Sequence, residues 1–246
     1  MEAASDMTKH GPEGMLLRLD DDRKLLSDDS GRVFDPTSRS WSGPDDREAT
    51  AAGHGESPGS GRSARRGAPI DLAEAAHWLQ RESGHPVRVP VGVIGPRDPS
   101  PAQYAVAEAV GSALAQAGFA LICGGRSGIM EAACKGAAAH GGLAIGLLPD
   151  ADPGHANPWA SVVIATGIGE ARNAIIARAA LCLVAIGDSF GTLSEVALGR
   201  QFGKTVVALE GAARIDGVIA ARTADEAMAW VAACALGLAQ GGAARA

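Results

Sequence analysis

The stretch FALICGGRSGIMEAA, residues 119–133, decides the fold. Phe119 to Cys123 is a continuous apolar run, short and closed by glycine. Such a run reads as a strand buried on both faces. Gly124-Gly125-Arg126-Ser127-Gly128 then reads as a tight turn, and a helix is predicted over Ile129–His140. Strand, glycine turn and helix together make half of a βαβ unit.

The same alternation extends both ways. Upstream, Val87–Ile94 is predicted as a strand. Ser100-Pro101-Ala102-Gln103 is a strong helix start, with a capping serine, proline at the first position and glutamine three residues on. That helix runs to about Gln116 and ends at Gly118. Downstream, strands are predicted over Leu143–Leu148, Ser161–Ala165, Leu181–Ile186, Thr205–Leu209 and briefly Val218–Ala221. Helices are predicted over Glu170–Ala179, Thr192–Phe202 and from Thr223, capped by Glu226. The expected fold is α/β: a Rossmann-like, doubly wound parallel sheet with helices on both faces, preceded by a polar N-terminal arm. Right-handed crossovers place all the βα loops at one end of such a sheet, where ligands bind.

The domain boundaries follow from composition. Residues 1–69 are polar and rich in Gly, Ser, Asp and Arg, and read as a partly disordered arm. Within them residues 15–20 read as a short strand, with Arg32-Val33-Phe34 pairing to it across an acidic turn, and residues 43–68 as a linker. Residues 70–86 hold a short helix that packs on the domain. Asp71 and Glu74 have capping-box spacing, and Leu72, Ala75, Ala76, Trp78 and Leu79 supply its apolar face. Residues 87–237 are the ligand-binding domain and 238–246 a disordered tail.

Of 246 residues 46% are hydrophobic, which suffices for a real core, and the formal net charge is -6. That acidic balance argues against a nucleic-acid partner. The four cysteines form no C-x-x-C pair and all lie in apolar segments, which reads as buried thiols in a reducing compartment. The six histidines show no metal-binding spacing, so no metal site is expected. The N-terminus lacks a signal-peptide core, and no apolar run is long enough for a membrane span, so the expected location is the cytoplasm.

Three βα loops carry the chemistry. They are Gly95-Pro96-Arg97-Asp98, Gly124–Gly128, and Gly187-Asp188-Ser189-Phe190-Gly191-Thr192. Each joins a strand to a helix N-terminus, where free amides and the helix dipole attract anions. One glycine loop alone is as readily a packing device; three at one sheet end favour a phosphate-bearing small molecule. Arg172 and Asn173 sit near the start of the helix after the fourth strand. Thr192-Leu193-Ser194-Glu195 has two readings. It is a capping box, or it places Thr192 on a phosphate and Glu195 in the pocket beside Arg172.

Together GGRSGIMEAA at 124–133, EARN at 170–173 and GTLSE at 191–195 resemble the LOG-like (SLOG) superfamily over about residues 89–237. That superfamily includes cytokinin-activating phosphoribohydrolases, proteins once taken for lysine decarboxylases, and molybdenum-cofactor carriers. The resemblance implies a catalytic pair, Arg172 and Glu195, if the chain is a hydrolase. The implied binding residues are Gly95, Pro96, Arg97, Gly124, Gly125, Arg126, Ser127, Gly128, Met130, Arg172, Asn173, Gly187, Asp188, Ser189, Gly191, Thr192 and Glu195. Where the hydrolases carry Pro-Gly-Gly this chain has Gly187-Asp188-Ser189, so its look is closer to the molybdenum-cofactor-carrier-like branch. The leading expectation is a carrier or sensor of a nucleotide-like or pterin-phosphate molecule. A bound nucleotide or molybdenum cofactor is implied, with none needed for folding. The alternatives are a nucleoside 5′-monophosphate phosphoribohydrolase and a non-catalytic scaffold. The Ala-rich helices at 105–117 and 171–180 suggest a homo-oligomer.

Overall fold

A computed structural model describes residues 16–43, 67–213 and 215–239. The expectations for residues 1–15, most of the linker (44–66) and the tail from residue 240 lie outside the described residues. Seven strands form one parallel sheet: β6 (Val91–Ile94), β7 (Leu121–Cys123), β8 (Ala144–Leu148), β9 (Val162–Ala165), β10 (Leu183–Ile186), β11 (Val206–Leu209) and β12 (Ile219–Ala220), in the order β12-β11-β10-β6-β7-β8-β9.

The helices are α1 (Leu72–Arg81), α2 (Pro101–Ala117), α3 (Ile129–Ala139), α4 (Arg172–Ala179), α5 (Phe190–Gln201) and α6 (Ala224–Ala235). Each central strand feeds two cores by alternation. In β11, Val207 and Leu209 join the core built with α1, α2, α3 and α6. Val206 and Ala208 join the one built with α4 and α5. This two-faced burial is why the strands read as unbroken apolar runs.

The caps hold as the sequence predicts. Ser100 and Gln103 form a reciprocal capping box on α2, and Gly118 ends it in the left-handed conformation at φ 94. Asp71 caps α1 and Thr223 caps α6. Two helix starts differ. The helix after β10 begins at Phe190, because Ser189 rather than Thr192 is its cap, accepting from the Thr192 amide. Residues Gly169–Ala171 form a 3-10 turn, and α4 proper starts at Arg172. The first strand also starts late. Val87 is held by Gln80, whose side chain takes the Val87 amide at 2.5 Å and donates to its carbonyl at 3.3 Å.

Residues 16–43 and 67–70 hold more regular structure than their composition suggests. β1 (Leu17–Asp20), β2 (Leu26–Asp28), β3 (Val33–Asp35), β4 (Ser40–Ser42) and β5 (Gly67–Ile70) form an antiparallel sheet ordered β4-β3-β2-β1-β5. The expected pairing of residues 15–20 with 32–34 is therefore corrected. The intervening turn contains β2, and β3 pairs with β2 instead of β1. Leu17, Leu19, Leu26 and Phe34 from this sheet join the core shared with α1 and α6. The Trp41 indole donates to the Leu236 carbonyl at 2.8 Å, and the Trp78 indole to the Arg23 carbonyl at 2.7 Å. Beyond the last helix, Leu238 is buried and its amide bonds to Ala233 O. Among the described residues no helix is long and apolar enough to cross a membrane.

The order in which strands are added reverses at β6. From there β7, β8 and β9 step to one side, and the chain then returns to place β10, β11 and β12 on the other. The crevice at such a switch point lies beyond the C-terminal ends of the two central strands, between their loops.

Candidate functional site

A cleft of about 650 Å³ occupies that crevice. Its walls come from the end of β6 (Ile94 to Asp98), from Gly124 and Met130 after β7, from Glu170, Arg172 and Asn173, and from the first turns of α5. The volume falls within the range of sites for small molecules.

Arg172 and Glu195 form the inner end. Arg172 Nη1 lies 3.7 Å from Glu195 Oε1, and the two residues are 5% and 6% exposed. Removal from water pushes the Glu195 carboxyl up to about 8; nearby Glu170 adds to this, and Arg172 opposes it. Burial likewise draws Arg172 below its usual value, with Glu195 acting against the shift. Arg172 Nε and Nη1 and Asn173 Oδ1 are buried and have no hydrogen-bond partner among the described residues. Buried polar atoms of this kind are rare and expensive, and a ligand is one way to satisfy them. Asn173 Nδ2 is used, donating to Ser194 Oγ at 2.9 Å and joining α4 to α5.

Gly124 permits this arrangement. A Cβ there would lie 2.4 Å from Arg172 Nη1 and 2.6 Å from Met130 Sδ, so the guanidinium rests directly on the backbone. Gly128 serves the loop itself. It caps α3 at φ 75, with no room for a side chain against the Pro96 and Arg97 carbonyls. The Ile129 amide also bonds to Pro96 O at 3.1 Å. The α3 N-terminus is thus partly closed by protein carbonyls.

The α5 N-terminus is open by comparison. Ser189 Oγ accepts from the Thr192 amide at 3.1 Å and contacts Thr192 Oγ1 at 2.8 Å. Phe190 and Gly191, both on the cleft wall, have amides with no acceptor inside the helix. At the outer rim Arg97 Nη2 lies 3.8 Å from Glu170 Oε1, both side chains well exposed.

Of the residues singled out in the sequence, Gly95, Pro96, Arg97, Gly124, Met130, Arg172, Asn173, Ser189, Gly191, Thr192 and Glu195 meet on this cleft. Gly125, Arg126, Ser127, Gly128, Gly187 and Asp188 are not among its lining residues. Arg126 pairs with Asp150 instead, in a cluster that includes His155 3.5 Å from Asp150. Ser127 and Asp188 are exposed. Of the two readings of Thr192 and Glu195, the capping box fails, since Ser189 caps the helix and Glu195 is buried beside Arg172. The sequence reading missed Ile94, Asp98, Glu170, Phe190 and Ser194 as lining residues. All but Ile94 lie inside the loops and motifs already quoted, so their position there was the available signal. Among the described residues no group of three or more His, Cys, Asp or Glu is placed to hold a metal ion.

Comparison with known proteins agrees with this architecture. The molybdenum cofactor binding protein of Rippkaea orientalis is 31% identical, with a TM-score of 0.56, over 59% of this chain and 96% of its own. The molybdenum cofactor carrier protein of Chlamydomonas reinhardtii is 35% identical, with a TM-score of 0.56, over 60% of this chain and 98% of its own. An uncharacterized protein of Archaeoglobus fulgidus is 38% identical over 138 residues, 56% of this chain and 91% of that protein. The model of the SLOG cluster4 family matches residues 88–235, the whole parallel-sheet domain. The chain belongs to the SLOG cluster4 family.

Proposed function

We propose that this protein binds a molybdenum-cofactor-like molecule, a pterin bearing a phosphate, in the β6–β10 cleft, and acts as its carrier or sensor. The observation that carries the reading is the pairing of two features in one cleft. Arg172 and Asn173 hold buried polar atoms that have no partner among the described residues, and the first amides of α5 have no acceptor inside the helix. The first suits a polar ring edge and the second a phosphate. The similarity to two molybdenum-cofactor proteins supports the choice of ligand.

The Arg172–Glu195 pair favours a second reading, hydrolysis of the N-glycosidic bond of nucleoside 5′-monophosphates. A carboxylate can stabilise the positive charge that develops on the ribose. With its carboxyl at about 8, Glu195 is mostly neutral at pH 7. That state hydrogen-bonds a ligand well but stabilises a cation poorly, so binding comes first. The deciding experiment incubates purified protein with a panel of nucleoside monophosphates and measures free base, with Glu195→Ala in parallel. Base release that vanishes in the variant overturns the carrier reading. Absence of turnover, with a pterin or nucleotide co-purifying, supports it.

We infer further that the protein works as a homo-oligomer in the cytoplasm. The outer strand β9 leaves Val162 and Ile164 42% and 45% exposed, and Ile168 and Ile175 further along the chain are exposed as well. An apolar face of this kind suits contact with a second copy. The four free cysteines, two of them 3.6 Å apart at Cys123 and Cys134, fit a reducing compartment. Sedimentation of the purified chain tests the assembly.

A further inference from the structure

Phe190 is 94% exposed, while the next most exposed large apolar residue among those described, Leu16, is 52% exposed. Scattered apolar residues on a surface are ordinary. A phenylalanine given almost wholly to water, on the wall of a cleft, is a different case. Leaving it there forgoes the stabilisation of burying the ring, and nothing in the helix requires it. It is the first residue of α5, a position that asks for proline, an acid or a good helix former.

The geometry of a helix start gives the ring a direction. Side chains lean toward the N-terminus of their helix. A residue at the first position therefore leans over the end from which the free amides emerge. The ring of Phe190 thus stands beside the point where an anion would sit on the amides of Phe190 and Gly191.

Gly191 adds an independent observation. A Cβ there would meet only Ser189 Oγ, at 3.7 Å, which is ordinary contact, and its φ is not in the left-handed region. Neither backbone conformation nor packing by the described residues demands glycine. Most cleft glycines are different: Gly124 and Gly95 would each drive a Cβ to within 2.4 Å of a neighbour. The missing side chain of Gly191 clears space next to Phe190 for something outside the protein.

We propose that Phe190 is the platform on which the planar ring of the bound molecule stacks, with the molecule's phosphate on the α5 amides and its polar ring edge toward Arg172 and Asn173. The inference rests on the binding reading above and specifies the ligand class it requires. That class is a planar heteroaromatic joined to a phosphate by a short linker. Stacking on one aromatic face is sequence- and substituent-tolerant, so Phe190 sets ring against no ring, and the inner polar groups choose among rings.

The test uses the full chain and two probes, 6-hydroxymethylpterin diphosphate, which is fluorescent, and inorganic phosphate, which has no ring. The wild-type chain is expected to bind the pterin with quenched fluorescence. Phe190→Ala and Phe190→Leu should each weaken pterin binding about 10- to 100-fold. Phe190→Trp should bind within about threefold of wild type and quench its own indole emission on binding. Phosphate affinity and melting temperature should be the same in all four proteins, because the ring is exposed and contributes little to the core. Sedimentation separates the competing occupant, a second copy of the chain. Pterin affinity unchanged in Phe190→Ala overturns the platform, and a dissociated assembly with unchanged affinity assigns the ring to an intersubunit contact. If the wild-type chain binds neither pterin diphosphate nor phosphate, the binding reading itself falls and the platform with it.

Discussion

The guanidinium of Arg172 and the carboxyl of Glu195 sit 3.7 Å apart with almost no access to solvent, and the carboxyl is pushed up to about 8. At neutral pH this pair is therefore closer to a cation beside a neutral acid than to a salt bridge. The distinction governs how the protein responds to pH and to substitution.

The folded-state value of Glu195 lies above its ordinary value of 4.5. Between those two values the folded chain holds a proton that the unfolded chain releases. Its contribution to stability is full below pH 4.5 and is lost as pH rises toward about 8. Glu195→Gln should remove this dependence, making the variant more stable than wild type above pH 8, by on the order of a few kcal/mol. Urea melts from pH 5 to 9 measure it. Parallel curves for the two proteins would refute the buried acid.

Arg172 lowers the Glu195 value by its charge. Arg172→Met keeps the bulk and removes the charge, so Glu195 should titrate higher still. Carbon-13 NMR of labelled glutamate reads that shift directly. The same variant should lose pterin binding by at least about tenfold, since a lost charged hydrogen bond costs about 1.5–3 kcal/mol.

Gly124→Ala places a methyl where the Arg172 guanidinium now lies. Overpacking of this kind costs about 1–3 kcal/mol. Melting should fall moderately, and ligand affinity should fall with it because Arg172 must move. A crystal structure of the variant with Arg172 undisplaced would contradict the packing described.

Gly191→Ala should do the opposite to stability. Alanine in a helix is favoured over glycine by about 0.5–1 kcal/mol, and its Cβ meets only Ser189 Oγ. The variant should therefore melt at the same temperature or higher while binding phosphate more weakly. A gain in both would show that the glycine leaves no space for a ligand.

Trp78 is 1% exposed and bonds to the Arg23 carbonyl. Trp78→Phe should lose about 0.5–1.5 kcal/mol with the hydrogen bond, and Trp78→Ala about 3–5 kcal/mol with the packing. Equal losses for both would mean that the ring itself contributes nothing.

Much of the parallel-sheet domain is legible in its sequence because strands buried on both faces must be apolar throughout, and Leu121-Ile122-Cys123 is no exception. Caps such as Ser100 and Thr223 are legible because they act within four residues. The small N-terminal sheet is legible only in part: residues 15–20 and 32–34 read as strands and form β1 and β3, but the three residues Ser40-Trp41-Ser42 carry no pattern long enough to read. At the site, Arg172 and Glu195 come from motifs, and the structure supplies the contact between them. Arg126 shows the limit. Its partner Asp150 is 24 residues away on another loop, so its turn away from the cleft is invisible in the local sequence. Phe190 lies in a loop the sequence marks, but its exposure, the property that sets it apart, exists only in the folded chain.

The bond from the Trp41 indole to the Leu236 carbonyl spans 195 residues. On a ribosome β1 to β4 emerge before α6, so the surface they dock against is completed only once α6 has been made. Until then Leu17, Leu26 and Phe34 can pack on α1 but not on α6. A chain cut short before α6 leaves the amino-terminal strands with α1 alone and Trp41 without its acceptor at Leu236.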